Sequence, residues 1–103
     1  MLVRYYEDEK FINAELFRES DGSVFQLIAN ELSEAFKVQW IAKLDGLDQR
    51  YWDFEFKGTA LTLHLEHHLG ISIYVKKSEM DIEGARQVLG EIGDYFKTWN
   101  PSS

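Results

Sequence analysis

The three histidines of this 103-residue chain fall close together as His64, His67 and His68, with Glu66 among them. Imidazole titrates near neutral pH and ligates metals, so this short run is where chemistry would concentrate. Successive residues of a strand point to opposite faces, which puts His64, Glu66 and His68 on one side and His67 on the other. Imidazole and carboxylate groups suit zinc or a similar ion. Alternate residues on one strand stand about 6.8 Å apart, so three in line cannot all reach one ion without a bend. A cross-strand pair, His64 with Asp53, is the better metal candidate, with His68 a further one. The same His64 has the residue types for acid–base or nucleophilic catalysis if Asp53 orients it and Tyr74 or Ser72 partners it. No nucleophile elbow, glycine-rich phosphate loop or HExxH pattern accompanies it. No catalytic residue is therefore assigned, and no cofactor is expected. His67 reads as a core-edge histidine beside a turn.

The elements that must position these residues follow from periodicity. Phe11 to Arg18 alternates, with Ile12, Ala14 and Leu16 on one side, and reads as a half-buried strand. Leu2 to Tyr6 reads as a further edge strand paired with it across the acidic turn at Glu7–Lys10. Ser23 and Gln26 have capping-box spacing. Val24, Phe25, Ile28, Leu32, Ala35 and Phe36 then recur at helical spacing, predicting a helix through about Lys37. From Val38 the period becomes two. Val38, Trp40, Ala42 and Leu44 form one face, followed by a turn at Asp45–Asp48. Trp52, Phe54 and Phe56, then Leu61, Leu63 and Leu65, then Ile71, Ile73 and Val75 continue it. Ser78 and Asp81 open a last helix striped by Ile82, Ala85, Val88, Leu89, Ile92, Tyr95, Phe96 and Trp99, and Pro101 ends it. Gly84, Gly90 and Gly93 weaken that helix, which points to close packing against a neighbouring strand or, failing that, a groove.

Turn residues set the registers. A Gly58-Thr59 turn would place Asp53 opposite His64 and Glu55 opposite Thr62. A three-residue loop His68-Leu69-Gly70 would place His64 opposite Tyr74 and Glu66 opposite Ser72. The outward face would then carry the row Asp53, His64, Tyr74, flanked by Glu55, Glu66, Thr62 and Ser72. Of these, Asp53, Glu55, His64, Glu66 and Tyr74 are the binding-surface candidates; the plainer reading is that cross-strand pairs stabilise a solvated sheet face by about a few tenths of a kcal/mol each.

The fold class is α+β: one domain over 1–103, a curved antiparallel sheet of about five strands with two helices on one face, in the order β-α-β-β-β-β-α. Both helices should cover the face carrying Trp40, Trp52, Phe54, Leu63 and Ile73, because an apolar sheet face needs a cover. The other face is then polar and open. This order resembles the TATA-binding-protein-like topology, which hosts unrelated functions and carries none with it. The stretches Tyr51-Trp52-Asp53-Phe54-Glu55-Phe56 and Leu61-Thr62-Leu63-His64-Leu65-Glu66 also resemble short uncharacterised bacterial proteins of this size. Strands, helices and turns consume nearly the whole length, leaving no insertion for a lid or pocket wall.

Composition excludes several functions. Eighteen acids against 11 bases give a net charge of −7, which disfavours nucleic acid and anionic membranes. Lys76-Lys77 is a lone basic pair. There is no Cys, hence no disulfide and no thiolate site. No apolar run spans a membrane, and no secretory or lipidation signal is evident, so a cytoplasmic protein is expected. In size and charge the chain resembles immunity proteins and secretion-effector chaperones. A non-catalytic protein-binding module is the expected class, with a basic partner favoured by charge. Tyr5, Tyr6, Tyr51 and Tyr74 are outward aromatics suited to an interface. A homodimer through the open face or an edge strand is the other assembly expected. A small hydrolase-type enzyme or metal-binding protein centred on His64 is the alternative. A binding module should present an aromatic or acidic patch without a deep pocket. An enzyme should hold His64, its pKa shifted, in a polar concavity.

Overall fold

Two-residue alternation builds the sheet, and the helices fall where it stops. The computed structural model describes residues 1–77 and 81–101. The strands are β1 (Arg4–Glu7), β2 (Phe11–Phe17), β3 (Gln39–Asp45), β4 (Gln49–Phe56), β5 (Thr59–Glu66) and β6 (Gly70–Lys76). The helices are α1 (Gly22–Ala35) and α2 (Ile82–Lys97). The six strands form one antiparallel sheet in the order β1-β2-β6-β5-β4-β3. The N-terminal edge strand is present as β1, making six strands rather than about five.

Both helices pack on the same face. Phe25 of α1 meets Trp52 edge-on at 5.0 Å, and Phe36 meets both Phe56 and Tyr95. Phe25, Ile28, Leu32, Phe54, Leu61, Leu63, Ile71, Ile73, Leu89, Ile92 and Phe96 are fully buried between the layers. Burying each such side chain contributes about 1.5–3 kcal/mol. The indoles keep their polar ends satisfied: Trp40 donates to the Ser33 hydroxyl and Trp52 to Asp45, each at 2.8 Å.

Edge strand β1 is tied to α2. The Tyr5 hydroxyl donates to Asp94 at 2.8 Å, and Glu7 accepts from Arg86 at 2.6 Å and pairs with Lys77 at 3.1 Å. Those two cations hold the Glu7 carboxyl down to about 2. Tyr5 lies over Gly93, where a Cβ would sit 2.3 Å from its hydroxyl. Close packing is thus the reason for Gly93. Tyr5 is accordingly spent on the helix side and is not a free interface aromatic.

Several local expectations are corrected. The α1 cap is Asp21, whose carboxylate accepts from the Ser23 and Val24 amides at 2.8 and 3.3 Å. Gln26 bonds Asn30 instead of closing a capping box. The helix ends at Ala35, and Lys37 turns at φ 56°. Asp81 precedes α2 without a side-chain cap bond, and Ser78 lies outside the described residues. In β3 a bulge at Ile41 reverses the alternation. Trp40 stays inward opposite Phe54, but Ala42 and Leu44 come to lie opposite Asp53 and Tyr51 on the outer face. Lys43 takes the inner side, 4.3 Å from the Trp52 ring centre.

The glycines separate by environment. Gly70 has φ 97°, and a Cβ there would meet the Phe17 carbonyl at 2.1 Å, whereas nothing lies within 4 Å of a Cβ on Gly90. Gly90→Ala should therefore raise the urea midpoint, by up to about 1 kcal/mol of stability. Gly70→Ala should lower it by more than about 1 kcal/mol. Equal midpoints for the two variants would contradict this packing.

Candidate functional site

With both helices on one face, the opposite face is bare sheet, and its residues can be read rung by rung. One rung runs Tyr6, Asn13, Tyr74, Thr62, Asp53, Ala42 across all six strands. The next runs Arg4, Glu15, Ser72, His64, Tyr51, Leu44. The expected row Asp53, His64, Tyr74 is thereby split between two rungs. Both hairpin registers differ from expectation by two residues. The β4–β5 turn is Lys57-Gly58, both at positive φ (53° and 75°), so Phe56 pairs Thr59 and Asp53 pairs Thr62. The β5–β6 loop is His67-His68-Leu69, with His68 at φ 74°, so Glu66 pairs Gly70 and His64 pairs Ser72. A shift of two preserves which face each side chain takes, so the outward set survives while the pairs change.

Each candidate can now be placed. Asp53 accepts from the Thr62 hydroxyl at 2.6 Å and does not orient His64. Glu55 is exposed one rung further along, opposite Ala60 and Gln39. His68 lies in the loop with its ring 3.9 Å from that of His67. His67 is exposed there, not at the core edge, because the loop begins one residue before it was expected to. His64, Glu66 and Tyr74 do come together. Among the described residues no three His, Asp or Glu side chains are grouped so as to hold a metal ion.

Around His64 the face is concave. A hollow of about 330 Å³ is lined by Tyr6, Phe11, Tyr51, His64 and Tyr74, with Asn13, Glu15, Glu66, Leu69, Gly70 and Ser72. The Tyr51 ring stacks on His64 at 4.4 Å with planes 17° apart, and Tyr74 meets His64 edge-on at 5.8 Å. Phe11 in turn meets Tyr74 edge-on at 5.0 Å. The Tyr51 hydroxyl donates to the Gln49 side chain. No inserted segment was needed for walls: the aromatic side chains and Leu69 supply them. Phe11, Asn13 and Glu15 were not legible as site residues, because β2 reaches β6 across most of the chain and no turn announces that pairing. Their outward alternation with Ile12, Ala14 and Leu16 was the only available signal.

The electrostatics centre on His64. Its side chain is only 15% exposed, and its Nε2 is buried without a hydrogen-bond partner. Burial lowers its pKa below the ordinary 6.5, partly offset by the Glu66 carboxylate, 3.8 Å from Nε2. The ring is therefore neutral at pH 7. Burial likewise pushes the Tyr74 phenol up. Glu15 is met by Arg18 at 3.5 Å, while the only ion-pair partner of Glu66 among the described residues is His64 itself.

These features set the titration of His64. Its NMR midpoint should lie below 6.5, and Glu66→Gln should lower it further by removing the carboxylate that favours the cation. Asp53→Asn should leave it unmoved. The unfolded chain takes up this proton more readily than the folded one. The His64 contribution to stability is thus full above about pH 6.5 and is lost as pH falls through the lowered folded pKa. A midpoint at or above 6.5 would contradict the burial described.

Comparison with known proteins adds a family and no activity. No curated protein and no solved structure matches the chain. No helix among the described residues is long and apolar enough to cross a membrane. A family model described as a protein of unknown function, DUF3630, matches residues 2–89, a span that contains every residue lining the hollow. The α+β chain with its aromatic hollow on the open sheet face therefore belongs to the DUF3630 family of proteins of unknown function.

Proposed function

We propose that the chain is a non-catalytic protein-binding module that receives a basic partner on its open sheet face. The observation that carries this reading is the hollow around His64, walled by aromatic rings and holding Glu15 and Glu66 with no Lys or Arg in its lining. Aromatic side chains offer large contact area with little conformational entropy to lose, as interface anchors do. A net charge of −7 steers a basic partner toward the molecule. The bulge at Ile41 turns Leu44 outward, and with exposed Ile41 and exposed Leu47 in the following turn, apolar surface borders the same face. A second copy of this chain, itself acidic, would bring like charge to that face.

One observation favours a second reading, a small hydrolase-type enzyme: His64 sits in a concavity with its pKa shifted, as expected of an enzyme, although aromatic rings make up much of the wall. His64 is neutral, half-enclosed and opposite Ser72, which are properties of a general base beside a hydroxyl. Against it, Asp53 is engaged with Thr62 instead of holding the imidazole. Metal binding is weaker still, since His64, His68 and Asp53 occupy separate places.

The test pairs binding with turnover. A partner recovered from the native source and then purified should bind the wild type in calorimetry. It should lose about tenfold or more in affinity to the Tyr51→Ser/Tyr74→Ser variant, and should weaken as salt rises. Glu34→Ala on the exposed side of α1 should leave binding unchanged. Equal binding by the tyrosine variant would remove the reading. An esterase or phosphatase activity abolished in His64→Gln would replace it with the enzyme.

A further inference from the structure

We propose that the hollow around His64 is a receptor for a guanidinium group, the side chain of an arginine presented by the partner. This inference rests on the binding reading above and specifies its ligand. Three independent features converge on it. The first is charge: Glu66 brings a carboxylate to the lining, and its only ion-pair contact among the described residues is the His64 imidazole, neutral and unable to balance it. The second is hydrogen bonding. The Nε2 of His64 is buried with no hydrogen-bond partner, a Glu66 carboxylate oxygen stands 3.8 Å from it, and Glu15, Ser72 and Asn13 share the lining. A guanidinium has five N–H donors and no acceptor, so it complements a lining rich in acceptors. With Nε2 unprotonated, as in one of the two tautomers of a neutral imidazole, that atom is an acceptor too.

The third feature is shape. Planar cations stack on aromatic faces, and the hollow presents the rings of Tyr6, Phe11, Tyr51 and Tyr74 around a volume of about 330 Å³. Arginine holds its plane and forks bidentately on carboxylates, whereas a lysine ammonium is a compact, strongly hydrated point charge. Desolvation at the Tyr51–His64 stack therefore penalises the ammonium more than the guanidinium. An uncharged planar ligand would satisfy the rings and leave Glu66 without a counter-charge.

Three capped tripeptides test this, each with glycine on either side of arginine, lysine or citrulline. The probe is the intact protein, followed by the ring resonances of His64, Tyr51 and Tyr74. The arginine peptide should shift those resonances saturably. The lysine peptide should bind several-fold more weakly, and citrulline, which has the shape without the charge, at least about tenfold more weakly. Glu66→Gln should cost the arginine peptide about tenfold or more while leaving the citrulline peptide unchanged. Citrulline binding as tightly as arginine would overturn the proposal, and so would shifts confined to residues outside the hollow. The two readings separate cleanly. A purified partner that binds the open face with all its arginines replaced by lysine refutes the guanidinium receptor and leaves the binding module standing. A partner unaffected by the Tyr51→Ser/Tyr74→Ser change refutes the module itself.

Discussion

Two helices cannot cover two faces of a six-stranded sheet when both are needed on one. Trp52, Phe54, Leu61, Leu63, Ile71 and Ile73 make one face apolar along three adjacent strands, and α1 and α2 are both used to bury it. Everything else follows from that allocation. The reverse face has to be formed by residues that tolerate water, and in this chain they are Tyr, His, Thr, Ser, Asn, Asp and Glu. A sheet face built so is a solvated surface by default. Here it is more than that, because Asn13 and Thr62 are each only 8% exposed on it. Their neighbours crowd over them, and Asn13 shares the lining of the hollow.

The crowding has an electrostatic consequence. A histidine on a flat solvated face would keep its ordinary pKa. His64 does not, because Tyr51 stacks on it and Tyr74 stands against it, removing water from the ring. Desolvation lowers the pKa of the ring, and the Glu66 carboxylate stands 3.8 Å from its Nε2. A neutral acceptor and an unbalanced anion in an aromatic setting is a combination that complements a cation. It does not supply the orienting carboxylate that general-base catalysis would use, since Asp53 is bonded to Thr62 one rung away.

How much of this was legible in the sequence depended on parity and on turns. Which face each side chain takes follows from alternation, so the outward set of Asp53, Glu55, His64, Glu66 and Tyr74 was readable. Pairing depends on turn geometry. There Lys57 and His68 adopt the positive φ that composition assigns first to glycine, and both registers moved by two. Parity itself failed between Glu15 and Phe17, where Phe17 comes opposite Ile71, and on the outer face at Ile41, where a bulge inserts one residue and turns Ala42 and Leu44 outward. No composition signal marks that bulge. The pairing of β2 with β6 was beyond reach for another reason: it joins segments with no shared turn, and it brings Phe11, Asn13 and Glu15 to the hollow.

In the free protein the outer face stands open while the inner face is closed. Solvent paramagnetic relaxation measured with a soluble gadolinium chelate tests it directly on the free protein. The ring protons of Tyr6, Tyr51 and Tyr74 should relax strongly, and those of Phe25 and Phe54, which are fully buried, should not. If Tyr51 and Tyr74 are as protected as Phe54, the face is already covered in solution and is not open to a ligand.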